Sequence, residues 1–156
     1  MAGSGGASTS DPALKAPKKA RLTSAGKVIP PAGAPPEIVR AINAANSISD
    51  KPYHWGGGHG SWNKDSGYDC SGAVSYVLHK AKASWIDSPR DAVTLQAIGR
   101  TGKGRWITWY GSSSHAFMVI AGVRFDTGYH DGASGPRWST SPRPTGGFNA
   151  RHPSGF

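Results

Sequence analysis

The sequence predicts an α+β domain in which helices come first and an antiparallel sheet follows. Residues 36–50 and 70–81 repeat apolar side chains at the spacing of one helix face. After residue 105 the pattern changes to short runs of aromatic and β-branched residues, which are typical of strands. Helices followed by strands favour a sheet that packs on the helices.

The first 35 residues differ in composition from the rest of the chain. Residues 1–36 hold six of the twelve prolines, many small residues and few large apolar side chains. Such a segment buries too little surface to offset the entropy lost on ordering. We therefore predict that residues 1–35 form a disordered linker or tail and that residues 36–156 form one domain.

Three helices are predicted from their start signals. Proline and an acid at Pro36 and Glu37 favour the first turn of a helix that ends near Asp50. The second helix begins at Cys70 and runs to Ala81. The third follows residues 88–91 and continues to about residue 98.

Four strands are predicted in the second half of the chain. They span residues 106–110, 115–121, 123–127 and 148–152. Six tryptophans in a domain of this size fit a core built from large side chains and a groove lined by rings.

Charge and composition narrow the function classes. The formal net charge is +9, which favours anionic partners. The basic run at residues 18–21 predicts only a solvated patch, so we expect no specific nucleic acid partner. No apolar run reaches the ~18 residues that span a membrane, and no secretory signal is visible in this chain. One cysteine excludes an internal disulfide and a cysteine-based zinc site, and we predict no metal and no cofactor.

Cys70 is the candidate nucleophile. A lone cysteine is most often a small hydrophobic residue in a core. This one instead follows a glycine-rich loop and opens a helix, with Asp69 as the expected N-cap. The positive end of the helix dipole favours the thiolate, and free backbone N–H groups there can bind a carbonyl oxygen.

A nucleophilic cysteine needs a base, and His115 is the best placed of the six histidines. It opens an apolar strand directly after the flexible residues 111–114, so it lies at a sheet end that can meet a helix start. His79 lies more than two turns along the cysteine helix and is too far from Cys70.

Strand parity points to Asp126 as the residue that orients the base. If residues 115–120 and 123–128 form a hairpin with a two-residue loop, Asp126 lies on the same face as His115. This holds whether the loop is 121–122 or 122–123, but a three-residue loop would remove Asp126 from the site. His130 and His152 are the alternative orienting residues.

These residues resemble a known family. The motifs Tyr53-His54-Trp55-Gly56-Gly57 and Asp69-Cys70-Ser71-Gly72, with the histidine-led strand, resemble the NlpC-type family of bacterial cell-wall cysteine peptidases. The resemblance covers about residues 36–127 and implies a papain-like fold, with N-terminal helices packed on an antiparallel sheet. The family more often carries histidine or an amide where this chain has Asp126.

The resemblance also implies roles for the site residues. It implies Cys70 as nucleophile, His115 as base and Asp126 as orienting residue. Tyr53 would complete the oxyanion site, and Asp69 would hold the free amine of the substrate peptide. The substrate-binding set then consists of Asp69, Ser71 and Trp55.

The implied function is hydrolysis of peptidoglycan stem peptides next to D-glutamate through a thioester. The expected partners are muropeptides and anionic wall polymers, and the protein is expected to act as a monomer outside the cell or at the wall. One alternative is an amidase or acyltransferase that acts on another amide or thioester. Another is a non-catalytic module that binds cell wall or nucleic acid.

Overall fold

The described part of this computed structural model covers residues 18–130 and 134–156 and contains a six-stranded antiparallel sheet, a two-stranded antiparallel sheet and three α-helices. This confirms the predicted α+β class. The elements are β1 (Arg21–Leu22), β2 (Val28–Ile29), α1 (Pro36–Ile48), α2 (Cys70–Ala81), α3 (Ala92–Leu95), β3 (Arg100–Thr101), β4 (Ile107–Gly111), β5 (Ala116–Ile120), β6 (Val123–Asp126), β7 (Arg137–Ser139) and β8 (Asn149–His152).

The main sheet has the strand order β3-β8-β4-β5-β6-β7, so β4 and β5 lie at its centre. Helix α2 packs against α1 and against β5. Val77 and Leu78 of α2 are fully buried in one core with Met118 and Ile120 of β5. This packing places the start of α2 and the start of β5 in the same region of the molecule. No helix in the described ranges is long and apolar enough to cross a membrane.

Helices α1 and α2 begin where the sequence predicts. Pro36 occupies the first turn of α1, and Ile38 and Ile42 on its inner face are fully buried. Helix α3 ends earlier than predicted. The indole of Trp109 donates to the carbonyl of Leu95 at 2.8 Å, and Arg151 donates to the carbonyl of Gln96 at 2.8 Å. These tertiary bonds satisfy carbonyls at the end of the helix, where the helix itself leaves them unpaired.

The turn between β5 and β6 has the two-residue form. Ile120 pairs with Val123, so the loop is Ala121-Gly122 rather than 122–123. Both loop residues have positive φ, 47° and 83°, as a tight hairpin turn requires. With this register, His115 and Asp126 lie on the same face of the hairpin, as predicted. Four short strands, β1, β2, β3 and β7, were not predicted, because two or three residues show no periodicity.

Residues 18–35 correct the predicted disordered segment. Strands β1 and β2 form a hairpin, and the side chain of Val28 is only 2% exposed. The Asn46 side chain on α1 accepts from the N–H of Val28 and donates to its carbonyl, both at 2.9 Å. The N–H of Ala20 donates to the carbonyl of Ala121 at 2.8 Å. A few specific hydrogen bonds thus order a segment whose composition predicts disorder. Residues 1–17 lie outside the described residues.

Candidate active site

Cys70 is the first residue of α2, and its side chain is partly exposed. Asp69 caps the helix as predicted, since its Oδ1 accepts from the N–H of Gly72 at 2.7 Å. The carbonyl of Asp69 accepts from the N–H of Ala73 at 3.0 Å. In the described part of the chain, these bonds leave the amides of Cys70 and Ser71 as donors for a ligand. The thiol therefore lies where a helix can stabilise negative charge.

The glycine-rich loop is pressed against the start of α2. A side chain at Gly72 would clash with the carbonyl of Gly57, and one at Gly57 would clash with the carbonyl of Gly67. The N–H of Gly56 donates to Oδ2 of Asp69 at 3.1 Å. Glycine is thus required for the close approach that brings the loop beside Cys70.

His115 immediately precedes β5 and contacts two groups. Its backbone is fixed by Ser112, whose Oγ accepts from the His115 N–H at 3.1 Å. Its Nε2 lies 2.9 Å from Oδ1 of Asp126, and its imidazole lies near enough to the Cys70 thiol for the thiol to influence its pKa. Because Nε2 serves Asp126, Nδ1 is the nitrogen left for the sulfur. The structure therefore brings together the three residues that the sequence predicts as a catalytic set.

Asp126 lies at the end of β6, and its side chain is fully buried. The pairing of Met118 with Phe125 makes Asp126 a diagonal neighbour of His115, as strand parity predicts. Its Oδ2 lies 2.6 Å from Arg124 Nη1. The buried carboxylate is therefore paired on both sides.

The two ionisable partners shift each other's pKa values. Burial opposes protonation of the imidazole, but the hydrogen bond to Asp126 and the interaction with Cys70 outweigh it and raise the pKa of His115 to about 9. Burial likewise opposes ionisation of Asp126, but hydrogen bonds from His115 and Arg143 hold the pKa of that carboxyl below its usual value. At neutral pH the arrangement therefore favours an imidazolium beside the Asp126 carboxylate.

A groove of about 250 Å³ opens over Cys70. Four of the other predicted site residues line it, namely Tyr53, Trp55, Asp69 and Ser71. Trp55 is 91% exposed and free to meet a ligand. Burial and the nearby charges of Cys70 and Asp69 raise the pKa of Tyr53, so its hydroxyl stays protonated and can donate. The rest of the lining consists of Asp91, Ala92, Val93, Ser113 and Ser114.

The structure adds an unpredicted partner to Asp69. His59 Nε2 lies 2.8 Å from Asp69 Oδ1, and the Ser71 hydroxyl lies 3.3 Å from the same oxygen. The hydrogen bond to Asp69 raises the pKa of His59, although burial opposes it. Asp69 and Ser71 thus bond within the protein as well as bordering the groove. His59 lies in a glycine-rich loop, where no periodicity marks the direction of its side chain.

The alternative orienting histidines lie elsewhere. His152 on β8 bonds the carbonyl of Gly102 through Nδ1 at 2.9 Å and pairs with Arg100 near the sheet edge. His130 Nε2 lies 3.1 Å from the carbonyl of Gly135. Among the three predicted orienting residues, Asp126 is the one whose hydrogen bond to His115 the structure shows.

Comparison of the sequence with protein-family models and with curated proteins gives no match.

Proposed function

We propose that the protein is a cysteine peptidase that hydrolyses stem peptides of peptidoglycan through a thioester. The observation that supports this most is the grouping of Cys70, at the start of a helix, with His115, which is hydrogen-bonded to Asp126 and whose pKa the thiol influences. A nucleophile, a base and a group that orients the base are what acyl transfer by a thiol requires. The choice of peptidoglycan rests on the resemblance to the NlpC-type family.

Acylation uses the groups of the groove in turn. The sulfur of Cys70 attacks the carbonyl carbon, and the carbonyl oxygen gains negative charge. The amides at the start of α2 and the hydroxyl of Tyr53 donate to that oxygen, each worth a few kcal/mol in the transition state. The imidazolium of His115 gives its Nδ1 proton to the leaving nitrogen, the C–N bond breaks, and a thioester remains.

Deacylation reverses the roles of the same groups. Neutral His115 takes a proton from water, and the oxygen attacks the thioester carbon. The C–S bond then breaks, the carboxylic acid product leaves, and Cys70 returns to its thiolate beside the imidazolium. Asp126 stabilises the imidazolium in both halves of the reaction and gives up no atom of its own.

The surroundings of the groove suit a peptide attached to an anionic polymer. The groove is open, and Trp55 and Tyr53 offer ring faces at its edge. The net charge of +9 favours encounter with acidic cell-wall polymers, most strongly at low salt. The resemblance places the cut bond next to D-glutamate.

The first prediction tests the nucleophile and the base. Purified protein, Cys70→Ala and His115→Ala are each incubated with defined muropeptides, and the products are measured by mass spectrometry. We expect the parent to give two fragments whose masses sum to substrate plus one water. Both variants should lose about a thousandfold or more in rate, because the thiol and base act as a unit.

His79→Ala is the matched control, since His79 lies on the same helix and stacks on Trp62. It should cut at the parental rate. Cutting by Cys70→Ala at the parental rate would reject a cysteine enzyme. A product that carries an added amine in place of water would instead identify an acyltransferase.

A further inference from the structure

The carboxylate of Asp126 has more partners than the histidine that it orients. Oδ1 is 2.9 Å from His115 Nε2 and accepts from the Gly128 N–H at 3.0 Å. Oδ2 accepts from Arg124 Nη1 at 2.6 Å and from Arg143 Nη1 at 2.8 Å. A carboxylate offers about four acceptor sites, so these partners fill it. The group cannot turn without breaking a charge-assisted hydrogen bond.

The two arginines differ in what else they hold. Arg124 also donates to the backbone carbonyls of Ser141, Gly128 and Tyr129. It therefore joins strand β6 to neighbouring loops and serves the fold. In the described part of the chain, the Arg143 guanidinium donates a hydrogen bond to Asp126 through Nη1, and its buried Nε has no hydrogen-bond partner. Its polar contact is thus directed at the carboxylate.

Three aromatic rings surround the guanidinium of Arg143. Its central carbon lies 4.8 Å from the ring centre of Tyr129, 4.9 Å from that of Phe117 and 5.3 Å from that of Phe148. Phe148 also lies edge-on to the His115 ring at 6.2 Å. Cation–π contacts fix a cation over ring faces, so these rings restrict where the guanidinium can go.

We propose that Arg143 is a positioning residue, which keeps Asp126 ionised and directed at His115 without touching the substrate. Arg143 is not among the described residues that line the groove over Cys70. It acts instead from the irregular segment between β7 and β8, behind the carboxylate. The link to turnover rests on the proposed function, whereas the effect on Asp126 does not.

The test compares Arg143→Gln and Arg143→Lys with the parent. Titration of the Asp126 carboxyl carbon by ¹³C NMR, assigned with Asp126→Asn, reports on the carboxylate directly. The charged groups that face it, His115 and Arg124, are unchanged in both variants. Loss of a cation at this distance should raise the Asp126 midpoint by about one pH unit or more in Arg143→Gln. Lysine keeps the charge and should stay closer to the parent.

Turnover of a muropeptide is the second measurement. We expect kcat to fall about tenfold in Arg143→Gln, because the base is less well oriented, with KM unchanged. Arg151→Gln is the matched control, since Arg151 bonds the carbonyls of Gln96 and Gly99. It should leave both the Asp126 titration and kcat at parental values.

Tyr129→Asn covers the case in which Arg143→Gln does not fold. Tyr129 is exposed and has a φ of 57°, which asparagine tolerates. Removing its ring should shift the Asp126 midpoint in the same direction by a smaller amount. A folded Arg143→Gln with an unchanged Asp126 titration would overturn the proposal. If the titration moves but the parent cuts no muropeptide, the positioning role stands and the proposed function fails.

Discussion

His115 contacts a carboxylate through Nε2, and both this carboxylate and the Cys70 thiol influence its pKa. The imidazolium is the form that protonates the leaving nitrogen, so the proposed reaction needs it. Because the pKa of His115 is raised to about 9, this form is present at neutral pH and is lost as pH rises through about 9. The same raised pKa makes a contribution to folding stability that is full below about pH 6.5 and lost above about pH 9.

Asp126→Asn should move the alkaline limb of the pH–rate profile to lower pH. An amide does not stabilise the imidazolium as a carboxylate does, so the pKa of His115 falls towards its ordinary value. The measurement is kcat between pH 5 and about 10 on one muropeptide. Asp87→Asn is the control, because Asp87 is exposed and bonds Arg90. An unchanged alkaline limb in Asp126→Asn would remove Asp126 from the orienting role.

His59→Ala should change which stem peptides are preferred. The His59 imidazole lies against Asp69, the carboxylate that the family resemblance assigns to a free amine. Removing the imidazole leaves that carboxylate more available, so free-amine substrates should gain up to about fivefold in kcat/KM over N-acetylated ones. The measurement is the ratio of the two kcat/KM values. An unchanged ratio would show that Asp69 serves the helix cap alone.

Among the secondary-structure elements, the close contact between the glycine-rich loop and the start of α2 determines where Cys70 lies. Gly72→Ala sets two effects against each other. Alanine favours a helix over glycine by about 1 kcal/mol, but its methyl group would meet the carbonyl of Gly57. The close approach should win, with a loss of about 1–3 kcal/mol in the free energy of unfolding and lower turnover.

Gly60→Ala is the control for that prediction. Nothing lies within 4 Å of a side chain at Gly60, so its stability should change by about 0.5 kcal/mol or less. Urea unfolding of both variants measures the difference. A Gly72→Ala protein as stable as the parent would show that the loop can move away from the helix.

Features that follow from a local sequence pattern are predictable, whereas side chains that come from irregular segments are not. Helix α2 and the β5–β6 hairpin follow from local patterns, and the hairpin's parity places Asp126 beside His115. Arg143 and His59 reach the site from irregular segments, where no periodicity gives the direction of a side chain. The α+β class is confirmed, and the papain-like fold stays a prediction.

Residues 18–35, directly ahead of α1, belong to the folded domain. Asn46→Ala should show this. It removes the partners of the Val28 N–H and carbonyl and of the Trp138 indole, which donates to Asn46 Oδ1 at 2.9 Å. Buried polar groups left without partners should lower the free energy of unfolding by about 2–4 kcal/mol. Asn63→Ala, at an exposed loop residue, is the control and should change little.

Thermal or urea unfolding checks this prediction, and equal stability of the two asparagine variants would contradict it. The composition of residues 1–35 predicts disorder because composition reports only how much apolar surface a segment can bury. One side-chain amide that matches both backbone groups of Val28 is a specific contact that composition does not contain.

The presence of one cysteine in the whole chain has a consequence for oxidising conditions. A solvent-accessible, reactive cysteine is oxidised by peroxide to a sulfenic acid. In many proteins a second cysteine of the same chain condenses with such a group, with loss of water, to give a disulfide that an external reductant then opens. This chain has no second cysteine, so the sulfenic acid of Cys70 depends from the first step on a small thiol or another protein.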